Sequence, residues 1–168
     1  GSWSIDDNKL VNVGASGDPN KLEIAALGDV GYDVDMKAKI NVYSTLGSDS
    51  DLWRMGLSSN IDDSGGDGRG YCLLLHQDHS SLDFLNDLRS WGTYGSYSWG
   101  VDTWYYMRFR VIDPSTREGL GKVWEVGDPE PSAWTIDGGF GGGSARGYGE
   151  VGFGGSRQGD TTYYDDIV

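Results

Sequence analysis

This chain of 168 residues holds one cysteine, two histidines, four prolines and five glutamates, and what is scarce limits what it can be. A lone Cys72 leaves no internal disulfide, and its setting in the run Tyr71-Cys72-Leu73-Leu74-Leu75 marks it as a small buried hydrophobe. No stretch approaches the roughly 18 consecutive apolar residues of a membrane-spanning helix, so no membrane insertion is expected. Basic residues number 13 against 26 acidic ones, a net charge of −13. The resulting field opposes a phosphate backbone and no basic patch is present to anchor one, which argues against nucleic acid as a partner. Gly-x-Ser-x-Gly, phosphate-loop and Cys-x-x-Cys patterns are all missing. The opening Gly1-Ser2 has neither the charged nor the apolar stretch of a secretion signal. It reads as the scar of a cloning step, so a larger parent protein, with further domains as partners, is expected.

Glycine, by contrast, is abundant: 28 residues, against an average usage of roughly 7%. Aromatics make up 12%, with 7 Trp and 10 Tyr, more burial material than a disordered chain carries. A chain of this length buries enough surface to fold as one domain over residues 1–168. Among the acids aspartate dominates, a residue of turns, caps and hard-cation sites.

Period-two alternation recurs along the chain. It is clearest at Tyr32, Val34, Met36, Ala38, Ile40 and Val42, which are separated by polar residues. In the segment from Trp104 to Val111, Tyr105, Met107, Phe109 and Val111 face one way, and Trp104, Tyr106, Arg108 and Arg110 the other. Further strands are expected at 9–13, 21–26, 52–58, 71–77, 81–85, 120–126, 150–154 and 161–168, about ten in all, with no convincing amphipathic helix. Asx, Gly and Pro clusters separate them, including Asp6-Asp7-Asn8, Asp62 to Gly68 and Asp128-Pro129-Glu130-Pro131. Strands so closely spaced each need a second sheet to hide one face, which predicts a sandwich or barrel. The glycine-rich segment 138–149 has little side-chain mass and is expected to be a mobile surface loop.

Taken in order, Trp3-Ser4-Ile5, Lys9-Leu10-Val11, Asp33-Val34-Asp35-Met36, the strand from Thr103 to Val111, Lys122-Val123-Trp124, Glu130-Pro131-Ser132-Ala133-Trp134, Gly149 to Phe153 and Tyr164-Asp165-Asp166-Ile167-Val168 resemble the concanavalin A-like, laminin-G-like superfamily of jelly rolls. The resemblance implies an all-β fold, a two-sheet antiparallel jelly-roll sandwich of the carbohydrate-binding-module type. It also implies a structural calcium, Ca2+, bound by an aspartate of the final strand together with an acid near the beginning of the chain. Asp165 matches that role, with Asp18, Asp29 or Asp33 as unranked partners. Ca2+ takes six to eight oxygens from separate loops, so one site can tie first and last strands together. The plainer alternative is that Asp165 and Asp166 solvate a strand end. Asp62, Asp63 and Asp67 also sit close, but their spacing departs from an EF-hand and its closing Glu is absent, which favours a solvated loop.

Some members of that superfamily hydrolyse glucans with Glu, Asp and Glu alternating on one strand. Here Glu23, Glu118, Glu125, Glu130 and Glu150 never stand two or four residues apart, so that motif is missing. His76 and His79 fit a strand-end turn better than a catalytic pair. No catalytic residues are assigned.

Recognition has more material. Sugar rings stack apolar C–H faces on Trp and Tyr while their hydroxyls need directional polar groups. Trp104, Tyr106, Arg108 and Arg110, with Lys122 and Trp124 on the next strand, would form an aromatic and basic floor. The segment from Trp91 to Trp99 sets Trp91, Tyr94, Tyr97 and Trp99 among Gly and Ser, as an adaptable binding loop does. The leading expectation is a non-catalytic carbohydrate-binding or adhesion module, placed outside the cell or on a cell or virion surface, with an anionic or neutral glycan as partner. Two further readings stand beside it: a structural or protein-interaction domain of a virion, phage tail or cell-surface assembly, and a polysaccharide hydrolase or lyase with an unfamiliar site.

Overall fold

A computed structural model describes residues 2–13, 29–30, 34–44, 54–62, 69–76, 80–86, 90–147, 149–154 and 161–168. Alternation turns into strands wherever it was strongest. The strands are β1 (Ser2–Asp6), β2 (Lys9–Val13), β3 (Asp29–Val30), β4 (Val34–Ser44), β5 (Arg54–Asp62), β6 (Arg69–His76), β7 (Ser81–Asn86), β8 (Ser90–Ser96), β9 (Trp104–Asp113), β10 (Glu118–Glu125), β11 (Ile136–Gly139), β12 (Gly149–Gly154) and β13 (Thr161–Asp165). The described residues contain no helix. The strand expected at 21–26 lies outside them.

The strands form an antiparallel jelly-roll sandwich. A seven-stranded sheet runs β1-β2-β13-β4-β9-β10-β11, and a six-stranded sheet runs β3-β12-β5-β6-β7-β8. Between them lies one core cluster. Val34, Met36, Ala38, Ile40 and Val42 of β4 and Tyr105, Met107, Phe109 and Val111 of β9 meet Met55 and Leu57 of β5, Leu73 and Leu75 of β6, and Leu82 and Phe84 of β7. All of these are at most 6% exposed. The parity read from β4 and β9 is therefore the parity of the fold, and it fixes Trp104, Tyr106, Arg108 and Arg110 on the outer face of the seven-stranded sheet. Cys72 is fully buried, as expected, beside Leu74 and Leu85.

Two segments correct the sequence reading. The glycine-rich stretch is no mobile loop: Ile136–Gly139 is an edge strand, and Phe140 is fully buried, stacked on Tyr71 at 4.2 Å and tilted against Phe84 at 4.5 Å. Its seat exists because Gly119 faces it; a Cβ there would come within 2.4 Å of the Phe140 ring. Beyond it the backbone is tied down by side chains, since Arg117 Nη1 donates to the carbonyls of Gly141 and Gly143, and Asn86 Nδ2 to those of Gly142 and Ser144. Likewise Ser90–Ser96, expected as a loop, is the edge strand β8. Here β8 of one sheet meets β11 of the other. Thr93 Oγ1 accepts the Gly139 N–H at 3.1 Å, and a Cβ on Gly92 would lie 2.2 Å from the Gly139 carbonyl oxygen, so only glycine permits this approach.

Candidate functional site

The expected aromatic and basic floor forms on the outer face of β9 and β10, but the chain covers it with its own loop. Register sets Lys122 opposite Arg108 and Trp124 opposite Tyr106, whose rings stack at 5.4 Å. The segment 128–135 then folds back over this surface. Arg108 grips both carboxylate oxygens of Asp35 at 2.9 and 2.8 Å and donates to Glu130 at 2.8 Å. Lys122 reaches the same Glu130 oxygen at 2.7 Å and donates to the Pro131 carbonyl. The Trp134 ring stands 4.5 Å from the Lys122 ammonium and 5.6 Å from the Arg108 guanidinium. Lys122 and Trp124 are left 5% and 6% exposed.

This network sets the charge of the face. Lys122, then Arg108, holds the Glu130 carboxyl below the ordinary carboxylate value, and Arg108 does the same for Asp35. Arg108 is correspondingly held in its charged form. Two of the cations that would have attracted an anionic glycan are thus neutralised by the fold, and of the floor only Arg110 is exposed. Tyr106 is half-buried, with the ammonium groups of Lys37 and Lys39 5.4 and 5.5 Å from its ring.

The second aromatic group divides in two. Tyr97 meets Tyr105 edge to face at 6.0 Å, its hydroxyl pushed up to about 12 by burial, and Trp99 donates its indole N–H to the His76 carbonyl. Both pack against the core, so they are not the adaptable loop residues expected. Trp91 and Tyr94 face out, 40% and 65% exposed, and with Gly92, Thr93, Gly139 and Gly141 they line a shallow hollow of about 550 Å³. His76 is 2% exposed, its ring 4.7 Å from that of Trp91 and its Nδ1 3.9 Å from Asp83. It is a buried residue at the end of β6, and His79 lies outside the described residues.

The acids assigned to calcium are not assembled among the described residues. Asp165 lies opposite Lys39 of β4, and the neighbouring Asp166 forms an ion pair with that lysine. Asp29 belongs to β3, at the edge of the other sheet, while Asp18, Asp33 and most of the Asp62–Gly68 loop lie outside the described residues. No group of three or more His, Cys, Asp or Glu side chains is placed to hold a metal among the described residues.

Farther along the same outer face lies a cleft of about 350 Å³ that joins four parts of the chain: Asp6 and Asp7 of the β1–β2 turn with Lys9, Asn41 and Tyr43 of β4, Asp102 and Trp104 at the start of β9, and Tyr163 of β13. The strands dictate the meeting. Asn41 lies between Tyr163 on one side and Trp104 on the other. Tyr43 and Tyr163 pack edge to face at 5.7 Å. The Asp102 turn is held by its N–H bond to the Val42 carbonyl, with the Asp102 backbone left-handed at φ 55°. Lys9 is paired with Asp7 at 3.2 Å. Asn41 is 3% exposed, and its Oδ1 has no hydrogen-bond partner among the described residues. Trp104 alone of these was singled out from the sequence. The rest carried a faint signal: Asn41 is the one uncharged amide on the polar side of the best alternating strand, and Asp6-Asp7-Asn8 was legible only as a turn.

No protein-family model and no curated protein sequence matches the chain. Solved structures do match its fold. The carbohydrate-binding module CBM66 from Bacillus subtilis superposes with a TM-score of 0.68 at 13% identity, covering 99% of this chain and 89% of that one. A xylan β-1,4-xylosidase from Bacillus halodurans matches with a TM-score of 0.60 at 12% identity over 94% of this chain, which spans only 32% of the enzyme. The alginate lyase Aly36B matches with a TM-score of 0.54 at 15% identity, over 98% of this chain and 81% of the lyase.

Proposed function

We propose that this domain is a non-catalytic carbohydrate-binding module whose ligand lies in the cleft between Trp104, Asn41 and the Asp6-Asp7 turn. The observation that carries the reading is the composition of that cleft: aromatic rings from three strands beside carboxylates and a buried amide, the pairing of stacking face and directional polar group that a sugar needs. The carbohydrate-binding module among the solved structures of this fold supports it; the xylosidase and lyase leave room for a catalytic reading, which turnover of a polysaccharide panel tests. Such a module acts outside the cell or on its surface, joined to other domains. A structural calcium shared by Asp165 with Asp18, Asp29 or Asp33 belongs to the same proposal.

Trp104 and Trp124 provide the test. Replacing the half-buried Trp104 by Ala is expected to weaken binding to glycans identified on an array at least tenfold while leaving the thermal melt unchanged. Trp124→Ala removes a ring 6% exposed and is expected to destabilise the fold by about 3–5 kcal/mol. Binding that survives Trp104→Ala, or a broad array with no hit, refutes the assignment. The second hollow, at Trp91 and Tyr94, favours a protein partner, and concentration-dependent oligomers in light scattering that vanish with Tyr94→Ser would assign it so.

A further inference from the structure

Resting on the carbohydrate reading, we infer that the cleft selects sugars carrying an N-acetyl group, with Asn41 as the residue that reads the acetamide. Asn41 lines the cleft yet is only 3% exposed, and its Oδ1 is sealed from solvent, so the amide atom that meets the cleft is the Nδ2 donor. No hydrogen bond occupies that nitrogen among the described residues. A donor on a side chain this deeply packed is fixed in direction before any ligand arrives, and it is met by an acceptor from the ligand or by water alone.

Strand pairing sets an aromatic residue on each side of this donor: Asn41 lies directly opposite Trp104 of β9 and Tyr163 of β13, both half-buried. Directly opposed Cβ atoms stand roughly 4.5–5.5 Å apart, so a planar group the size of an acetamide reaches Nδ2 with its carbonyl oxygen while its methyl lies against a ring. The other substituents of common sugars fit less well. A protonated amine brings donors to a donor. A uronate brings its charge toward the exposed Asp6, Asp7 and Asp102, and Lys9, the one cation among the lining residues, is already paired with Asp7. A hydroxyl accepts from Nδ2 but has no methyl to bury against the ring. A volume of about 350 Å³ lies near the lower end of ligand pockets, room for one or two sugar rings.

The experiment compares, by titration calorimetry on the whole chain, oligomers of N-acetylglucosamine, of glucosamine and of glucose that share one length and one linkage. The N-acetylated oligomers are expected to bind at least tenfold more tightly than either of the others. Asn41→Leu roughly keeps the shape, removes the donor and also removes the buried oxygen that lacks a partner, so its thermal melt is expected to hold while its affinity for the N-acetylated oligomers falls to that for glucose oligomers. Should that variant fail to fold, saturation-transfer NMR on the parent protein decides, with the acetamido methyl expected to be the most strongly saturated group of the sugar. Equal affinity for the N-acetylated and glucose oligomers, tighter binding of glucosamine, a preference that survives Asn41→Leu, or a weakly saturated methyl overturns the inference while leaving carbohydrate binding in place. Array hits confined to glycans without an N-acetyl group do the same. Absence of binding to every sugar, on this set and on an array, overturns both.

Discussion

Glu130 holds two cations at once, and that places it at the centre of the outer face of β9 and β10. With Glu130→Ala the ammonium of the buried Lys122 loses its carboxylate and keeps the Pro131 carbonyl and the Trp134 ring, and the variant is expected to lose about 1–3 kcal/mol of stability in urea melts. The pH dependence follows from the same geometry. The Glu130 and Asp35 carboxyls both titrate below their ordinary values in the folded state, so their contribution is complete above the unfolded values and is lost as pH falls through the lower folded ones. Melting temperature should be flat above about pH 5 and fall below about pH 4, and Glu130→Gln should show a shallower acid decline. An acid limb unchanged by that substitution would assign the decline to other carboxylates.

At the scale of the element, the glycine contact between β8 and β11 closes one side of the sandwich. Gly92→Ala forces a methyl group to within 2.2 Å of one backbone atom and 2.6 Å of another, and is expected to cost about 1–3 kcal/mol and to speed hydrogen exchange at the Gly139 amide. Gly147→Ala meets nothing within 4 Å and should stay within about 0.5 kcal/mol of the parent protein. These two strands also mark where the sequence stopped being readable. β4 and β9 were legible because long runs of Val, Met, Ile and Phe alternate with polar residues, and burial against a second sheet leaves no other register. β8 and β11 carry glycines where alternation would have shown, because their inner positions must be empty for the other edge to approach. For the site, the face bearing Trp104 was readable from parity. The loop that covers Arg108, Lys122 and Trp124 was not, since ion pairs such as Asp35–Arg108 and Arg108–Glu130 join residues far apart in sequence. The cleft was hidden for the same reason: it assembles residues from Asp6 to Tyr163 through strand order, which local pattern does not encode.

For the molecule as a whole, charge and connectivity dominate. A calcium shared by Asp165 with Asp18, Asp29 or Asp33 would tie the beginning of the chain to its last strand, so removing it with EDTA is expected to lower the melting temperature by several degrees, as loss of a ligand bound only to the folded state does. An unchanged melt removes calcium from the proposal. β13, meanwhile, does not flank its sheet but lies inside it, hydrogen-bonded to β2 on one side and β4 on the other. Thus on the ribosome the nascent chain extrudes β2 and β4 long before the strand that must slot between them. Until then the seven-stranded layer has a vacancy one strand wide, and the aromatic wall that Tyr163 contributes is delivered only after β2 and β4. Folding of this domain is therefore expected to be slow, since it depends on long-range pairing, and a chain truncated before residue 161 should bind no sugar.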